Sequence, residues 1–185
     1  MKMQRLIWEH LEKCGIIDVV NDRMINTIEM SDEGILLTGS KLGYVEMVDY
    51  IISVALSNPG EHIHLDGYGF FENDDMEMII GLGLDLFDIE KSGMIGFNGI
   101  VRDYLYKKGI IDHDIYKNGI GYLKIHGKEV MISCNKEGLI ILSDYILRIA
   151  LSESDIQIQL DEKNFFHKAD AKLVIKLNEL TAECG

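Results

Sequence analysis

The chain is one sequence written twice. Displaced by 95 positions, it aligns residues 28–82 with 123–177 without a gap, and 16 of the 56 pairs counted from residue 27 are identical. DYIISVALS at 49–57 faces DYILRIALS at 144–152, and HIHLDGYGFF at 62–71 faces QIQLDEKNFF at 157–166. Upstream the displacement becomes 94, so that LEKCGIID at 11–18 faces LYKKGIID at 105–112. A unit of roughly 90 residues is too long for a solenoid repeat and falls in the range of a small domain. The organisation expected is a first repeat at 1–83, a linker at 84–97 and a second repeat at 98–185. Two copies of one fold are also an internal control: what both keep serves the fold, and what differs has been free to change.

Each repeat opens with an amphipathic segment, 3–14 and 98–108, whose apolar positions Leu6, Ile7, Leu11 and Ile100, Val101, Leu105 fall at helical spacing. Gly15 and Gly109 are the expected helix stops. A hairpin follows: MINTIEM turns through residues 31–34 into ILLTG, and YLKIH turns through 127–129 into VMISC. The next helix, 41–57 and 136–152, starts after Ser40 or Asn135, both good N-caps. It is apolar over most of its circumference, with a narrow polar stripe at Glu46, Asp49, Ser53, Ser57 and at Asp144, Arg148, Ser152, so it needs cover on two sides. Period-two alternation in EHIHLDG with MEMIIGL, and in IQIQLDE with AKLVIKL, closes each unit with a second hairpin. The fold class expected is α+β: two tandem α-β-β-α-β-β units, each a four-stranded antiparallel sheet with helices on one face.

Charge separates the copies. Of a formal −13, residues 1–94 contribute −12 (6 Lys and Arg against 18 Asp and Glu), and residues 95–185 contribute −1 (12 against 13). A field of that sign repels nucleic acid and anionic membrane and attracts a basic protein. Solubility alone does not explain why two related halves differ so much.

Alternation assigns Ile63, Leu65, Met78, Ile80 and Leu82 to the core, and their counterparts Ile158, Leu160, Leu173, Ile175 and Leu177 are apolar as well. The opposite face carries Glu29, His62, His64, Asp66 and Glu77 in the first repeat, against Lys124, Gln157, Gln159, Asp161 and Lys172 in the second. Loop positions change likewise: Glu33 faces Lys128, Glu72 faces His167, and the acidic run continues through Asp74 and Asp75. Tyr68, beside that run, has the amphipathic ring favoured at interfaces. Sign reversal at matched outward positions is hard to attribute to folding. The candidate partner-binding set is therefore Glu29, Glu33, His62, His64, Asp66, Tyr68, Glu72, Asp74, Asp75 and Glu77 on the outer face and edge loops of the first sheet.

His62, His64 and Asp66, at i, i+2 and i+4 of a strand, could present two imidazoles and a carboxylate to a metal, but glutamine replaces both histidines in the second repeat, as suits a solvated face. Asp66 and Asp161 are expected to hold the following loop through its backbone, and Phe70, Phe71, Phe165 and Phe166 to pack beneath it. GLGLD at 81–85 lacks the third glycine and the helix start of a dinucleotide cradle. Cys14, Cys134 and Cys184 lack any CxxC spacing and do not face one another between repeats, which disfavours a disulfide framework or a zinc site. No cofactor, metal or catalytic residue is expected. The charged residues interrupting the N-terminal apolar positions do not read as a signal peptide, no apolar run reaches the length of a membrane span, and a cytoplasmic setting is the expectation.

The run NKEGLIILSDYILRIALS, followed by QIQLDEKNFF and KLVIKL, resembles the immunity-protein-32 family of bacterial polymorphic toxin systems, and HIHLD in the first repeat is similar to that family's His-x-His-Leu-Asp strand. The likeness covers residues 130–177 closely and 40–82 more loosely, and the second repeat departs from it at both histidines. It implies a cytoplasmic bacterial protein that binds and neutralises a toxin domain, often a nuclease. The function expected is thus a non-catalytic immunity protein, monomeric with pseudo-twofold repeats, that blocks a basic toxin domain and binds neither nucleic acid nor membrane. A metal-dependent enzyme using His62, His64 and Asp66, and a housekeeping protein-binding adaptor, are the competing readings.

Overall fold

The structure, a computed structural model, describes residues 5–19, 24–65, 70–72, 76–83, 99–112, 119–153 and 156–177. The first repeat contributes α1 (Leu6–Lys13), β1 (Asn26–Ser31), β2 (Gly34–Gly39), α2 (Lys41–Ala55), β3 (His62–His64) and β4 (Glu77–Leu82). The second contributes α3 (Ile100–Lys107), β5 (Gly121–His126), β6 (Glu129–Cys134), α4 (Lys136–Ala150), β7 (Gln157–Leu160), the two-residue β8 (Lys168–Ala169) and β9 (Leu173–Leu177). The expected α-β-β-α-β-β order is present twice, with β8 as an addition. The expected linker lies outside the described residues.

Local chemistry sets the helix limits. Ser40 Oγ accepts the amides of Gly43 and Ile25 at 3.1 and 3.0 Å, and Asn135 Oδ1 accepts those of Gly138 and Ile120, both at 2.9 Å. Each cap thus satisfies an orphan helix amide and ties the helix to the chain entering the first hairpin. At the other end, α1 and α3 stop at Gly15 and Gly109, both at φ +67°. The amides of Gly15 and Ile16 return to the carbonyls of Glu12 and Leu11, and those of Gly109 and Ile110 to Tyr106 and Leu105. These are Schellman closures, whose left-handed residue is cheapest as glycine.

The sheets are not those expected from the sequence. One has four strands in the order β1-β2-β9-β7 and the other five in the order β3-β4-β6-β5-β8, and both are mixed. Hairpins β1–β2, β3–β4, β5–β6 and β7–β9 are antiparallel, but β2 lies parallel to β9 and β4 parallel to β6. Every sheet therefore takes one hairpin from each repeat. A separate four-stranded antiparallel sheet within each repeat is corrected by this pairing. The register keeps the duplication: Ile35 faces Leu173 and Leu37 faces Ile175, while Val130 faces Met78 and Ile132 faces Ile80. A displacement of 95 turns the first two pairs into the last two.

Among the inner strands β4 is buried most continuously, whereas β2, β6 and β9 alternate between buried and less buried residues. Met78, Ile79 and Ile80 are consecutive buried residues of β4, whereas β3 exposes both of its histidines. Alternation of that kind is what a sheet with one face on the core and one face outward produces.

Helices α2 and α4 pack on each other, and each touches both sheets: α2 lies against β2, β3 and β4, and α4 against β6, β7 and β9. This double cover explains helices whose circumference is mostly apolar. The core runs through both repeats, with Ile35, Leu37, Leu173 and Ile175 continuous with Met78, Ile80, Val130 and Ile132. Phe71, Phe165 and Phe166 are buried in it, as expected of the Phe-Phe pairs, and Phe70 is partly buried.

Candidate functional site

The two sheets present related outer faces. On the four-stranded sheet, Glu29, Leu36, Val174 and Gln159 stand side by side across β1, β2, β9 and β7. On the five-stranded sheet the same four positions hold Lys124, Met131, Ile79 and His64, across β5, β6, β4 and β3. The apolar centre of the row is kept in kind. Its ends are not, with Glu exchanged for Lys at one end of the row and Gln for His at the other.

The acidic side follows edge strand β1. Glu29 is exposed in the middle of it, and Glu33 lies in the turn that ends it. Glu72 is exposed beside its start, where the Glu72 amide donates to the Asn26 carbonyl at 2.9 Å. The counterpart contact, from the His167 amide to the Gly121 carbonyl at 2.7 Å, places His167 equivalently beside β5. Glu33, 86% exposed at its side chain, reaches Lys172 at 3.9 Å, an exposed pair of the kind worth about 1 kcal/mol or less.

His62, His64 and Glu77 lie on the other sheet. Alternation put them on one outer face with Glu29, and the exchange of hairpins between repeats separates them. His64 Nδ1 bonds Glu77 Oε1 across β3 and β4, and the His62 and His64 rings meet edge to face with centroids 5.1 Å apart. His62 Nδ1 lies 3.5 Å from the Gly60 carbonyl. Among the described residues no three His, Cys, Asp or Glu side chains are grouped to hold a metal. Asp66, Tyr68, Asp74 and Asp75 lie outside the described residues.

Asp161 shows the loop-holding role. Its Oδ1 accepts the Lys163 amide at 2.8 Å and its Oδ2 the Gln159 amide group at 3.1 Å, while its carbonyl accepts the amides of Phe165 and Phe166. The Lys163 amide is the main reason its carboxyl sits below the usual range.

Sequence reasoning missed the most buried carboxylates among the described residues, Asp49 and Asp144, which read as part of a polar stripe. Asp49 accepts the Ile7 and Trp8 amides at 2.8 and 2.9 Å, and Asp144 those of Val101 and Arg102 at 2.8 and 3.4 Å. They cap α1 and α3 from another helix, a structural task. The available signal was an aspartate kept in both copies inside an otherwise apolar helix. Arg5, at the start of α1, reaches Glu46 at 3.8 Å and lies over the Trp8 ring; burial raises the Glu46 carboxyl, and Arg5 opposes that rise.

Comparison with known proteins finds one family. The family model described as Immunity protein 32 matches residues 34–83 and 129–176, just over half of the chain in two stretches. No curated protein and no solved structure matches. The stretches begin 95 residues apart, at the start of β2 and of β6, and each runs through the central helix to the closing strand of its repeat. The chain belongs to the immunity protein 32 family, whose unit it carries twice.

Proposed function

We propose that this protein is a cytoplasmic, non-catalytic immunity protein that occludes a basic toxin domain, a nuclease being the class that fits best, through the acidic edge of its four-stranded sheet. The observation that carries the reading is the exposure of Glu29, Glu33 and Glu72 along β1, where the matched positions beside β5 are Lys124, Lys128 and His167. The fold is indifferent to charge at these places, since it accommodates either sign. A nuclease binds phosphates with lysine and arginine, and carboxylates set along a strand edge can take the places of those phosphates. Asp74 and Asp75, which follow Glu72 in sequence, add to the same charge, and Asp66 and Tyr68 precede it in sequence. His62, His64 and Glu77 are on the other sheet and serve as a separate, secondary contact. Among the described residues no helix is long and apolar enough to cross a membrane.

The test is co-purification with the toxin domain from the same locus, followed by titration at rising salt. Binding that weakens steadily as salt rises supports the charge-guided encounter. Absence of binding at low salt, or salt-independent binding, contradicts it.

A further inference from the structure

We infer that the chain is a fused twofold dimer: each repeat is the obligate binding partner of the other, and the covalent link between them is dispensable once the protein has folded. The strongest observation is the equivalence of the two parallel seams. Ile35 against Leu173 and Leu37 against Ile175 on one side become Val130 against Met78 and Ile132 against Ile80 on the other, under a single displacement of 95 residues. That is the signature of an isologous interface, in which a patch meets its own equivalent and each contact occurs twice. The helix contact between α2 and α4 joins two further equivalents.

Backbone bonds beyond the ladders also cross between repeats, one at each seam. The Ile35 amide donates to the Lys172 carbonyl at 2.9 Å, and the Glu77 amide to the Lys128 carbonyl at 3.0 Å. The buried Tyr44 hydroxyl lies 2.9 Å from the Leu37 carbonyl and 2.6 Å from that of Lys176, so its one proton is shared across the first seam. A repeat by itself would expose the apolar edges of β2 and β4, or of β6 and β9, together with a face of its central helix. Unpaired edges and an uncovered apolar helix are the features that a small isolated domain cannot sustain. The complementary surface for each repeat is therefore the other repeat, with an interface made of two sheet seams and one helix pair.

The inference is tested on the full chain carrying a specific protease site within residues 84–97. After cleavage the two fragments are expected to elute together under native conditions, to part only in denaturant, and to show a melting temperature that rises with protein concentration. Fragments that separate under native conditions would overturn it. A second measurement needs no insertion: Trp8, the single tryptophan, reports the first repeat, while far-ultraviolet dichroism reports both. Denaturant curves from the two probes are expected to coincide. Two resolved transitions, with the tryptophan following only one, would overturn the inference independently.

Discussion

Asp49 and Asp144 stand 95 positions apart in the middle of α2 and α4, and each turns a buried carboxylate onto the first amides of the helix that opens its repeat. One acidic side chain thus joins two helices. It satisfies donors that have no intrahelical partner and places negative charge where the helix dipole favours it. Replacing either with alanine leaves two amides unanswered beneath the packed helices. The expected loss is on the order of 2 to 4 kcal/mol for each variant, read from urea unfolding midpoints. Asparagine, which keeps one acceptor oxygen, should lose less. Alanine variants as stable as the parent would remove the cross-helix cap from the account.

Acidity offers a second view of Asp49. Burial pushes its carboxyl up to about 6 from an ordinary 3.8, against the pull of the Ile7 and Trp8 amides and of Arg5, with nearby Glu9 adding to the rise. The folded protein therefore holds this proton where the unfolded chain has released it. The stabilisation is fully present below the unfolded value and is lost as pH rises through about 6. Relative to Asp49→Asn, the parent is expected to lose on the order of 2 to 3 kcal/mol between pH 4 and pH 7. Comparing the two subtracts the self-repulsion common to both. A difference that is flat with pH, or that grows in the opposite direction, contradicts the assignment.

Gly99 is fixed by Asp144. A Cβ built on Gly99 would overlap the Asp144 carboxylate, so the glycine is needed for contact and not for a left-handed backbone. Gly99→Ala is expected to cost about 2 to 4 kcal/mol. Combined with Asp144→Ala it should cost little more than Asp144→Ala alone, because the clash and the cap are removed together. Additive losses in this cycle would show that the two residues act separately.

The histidine strand is expected to be dispensable for folding. His62→Gln with His64→Gln installs what the second repeat carries at Gln157 and Gln159. It removes the His64 to Glu77 pair, whose partners are partly exposed, together with the contact between the two rings and the long His62 contact to the Gly60 carbonyl. Thermal unfolding should report a stability change within about 1 kcal/mol. Added zinc should leave the melting temperature of parent and variant unchanged. A zinc-dependent rise confined to the parent would restore the metal reading of His62, His64 and Asp66.

The sequence carried the local structure well and the sheet partnerships poorly. Ser40, Asn135, Gly15 and Gly109 mark helix limits because caps depend on neighbours a few residues away, and the structure places each of them in that role. Alternation identified Met78, Ile80, Leu173 and Ile175 as buried. A period of two fixes which face a residue occupies, but not which strand lies beside it. Nothing in ILLTG says that its neighbour is LVIKL, 138 residues away, in place of the second hairpin of its own repeat. The outward carboxylates were legible as outward for the same reason, yet Glu29 and Glu77 fall on different sheets because that neighbour was hidden. Asp49 and Asp144 escaped notice because a carboxylate in a helix usually faces water.

The central claim, that the β1 edge grips a basic toxin domain, is tested most directly by charge reversal in matched positions. Calorimetric titration of the toxin domain would compare the parent with Glu29→Lys, Glu33→Lys, Glu72→Lys combined, and with the mirror set Lys124→Glu, Lys128→Glu, His167→Glu. The first set should weaken binding by about a hundredfold or more while the variant still folds, and the mirror set should change it by less than about threefold. Parental affinity in the first set, or an equal loss in both, would contradict the claim.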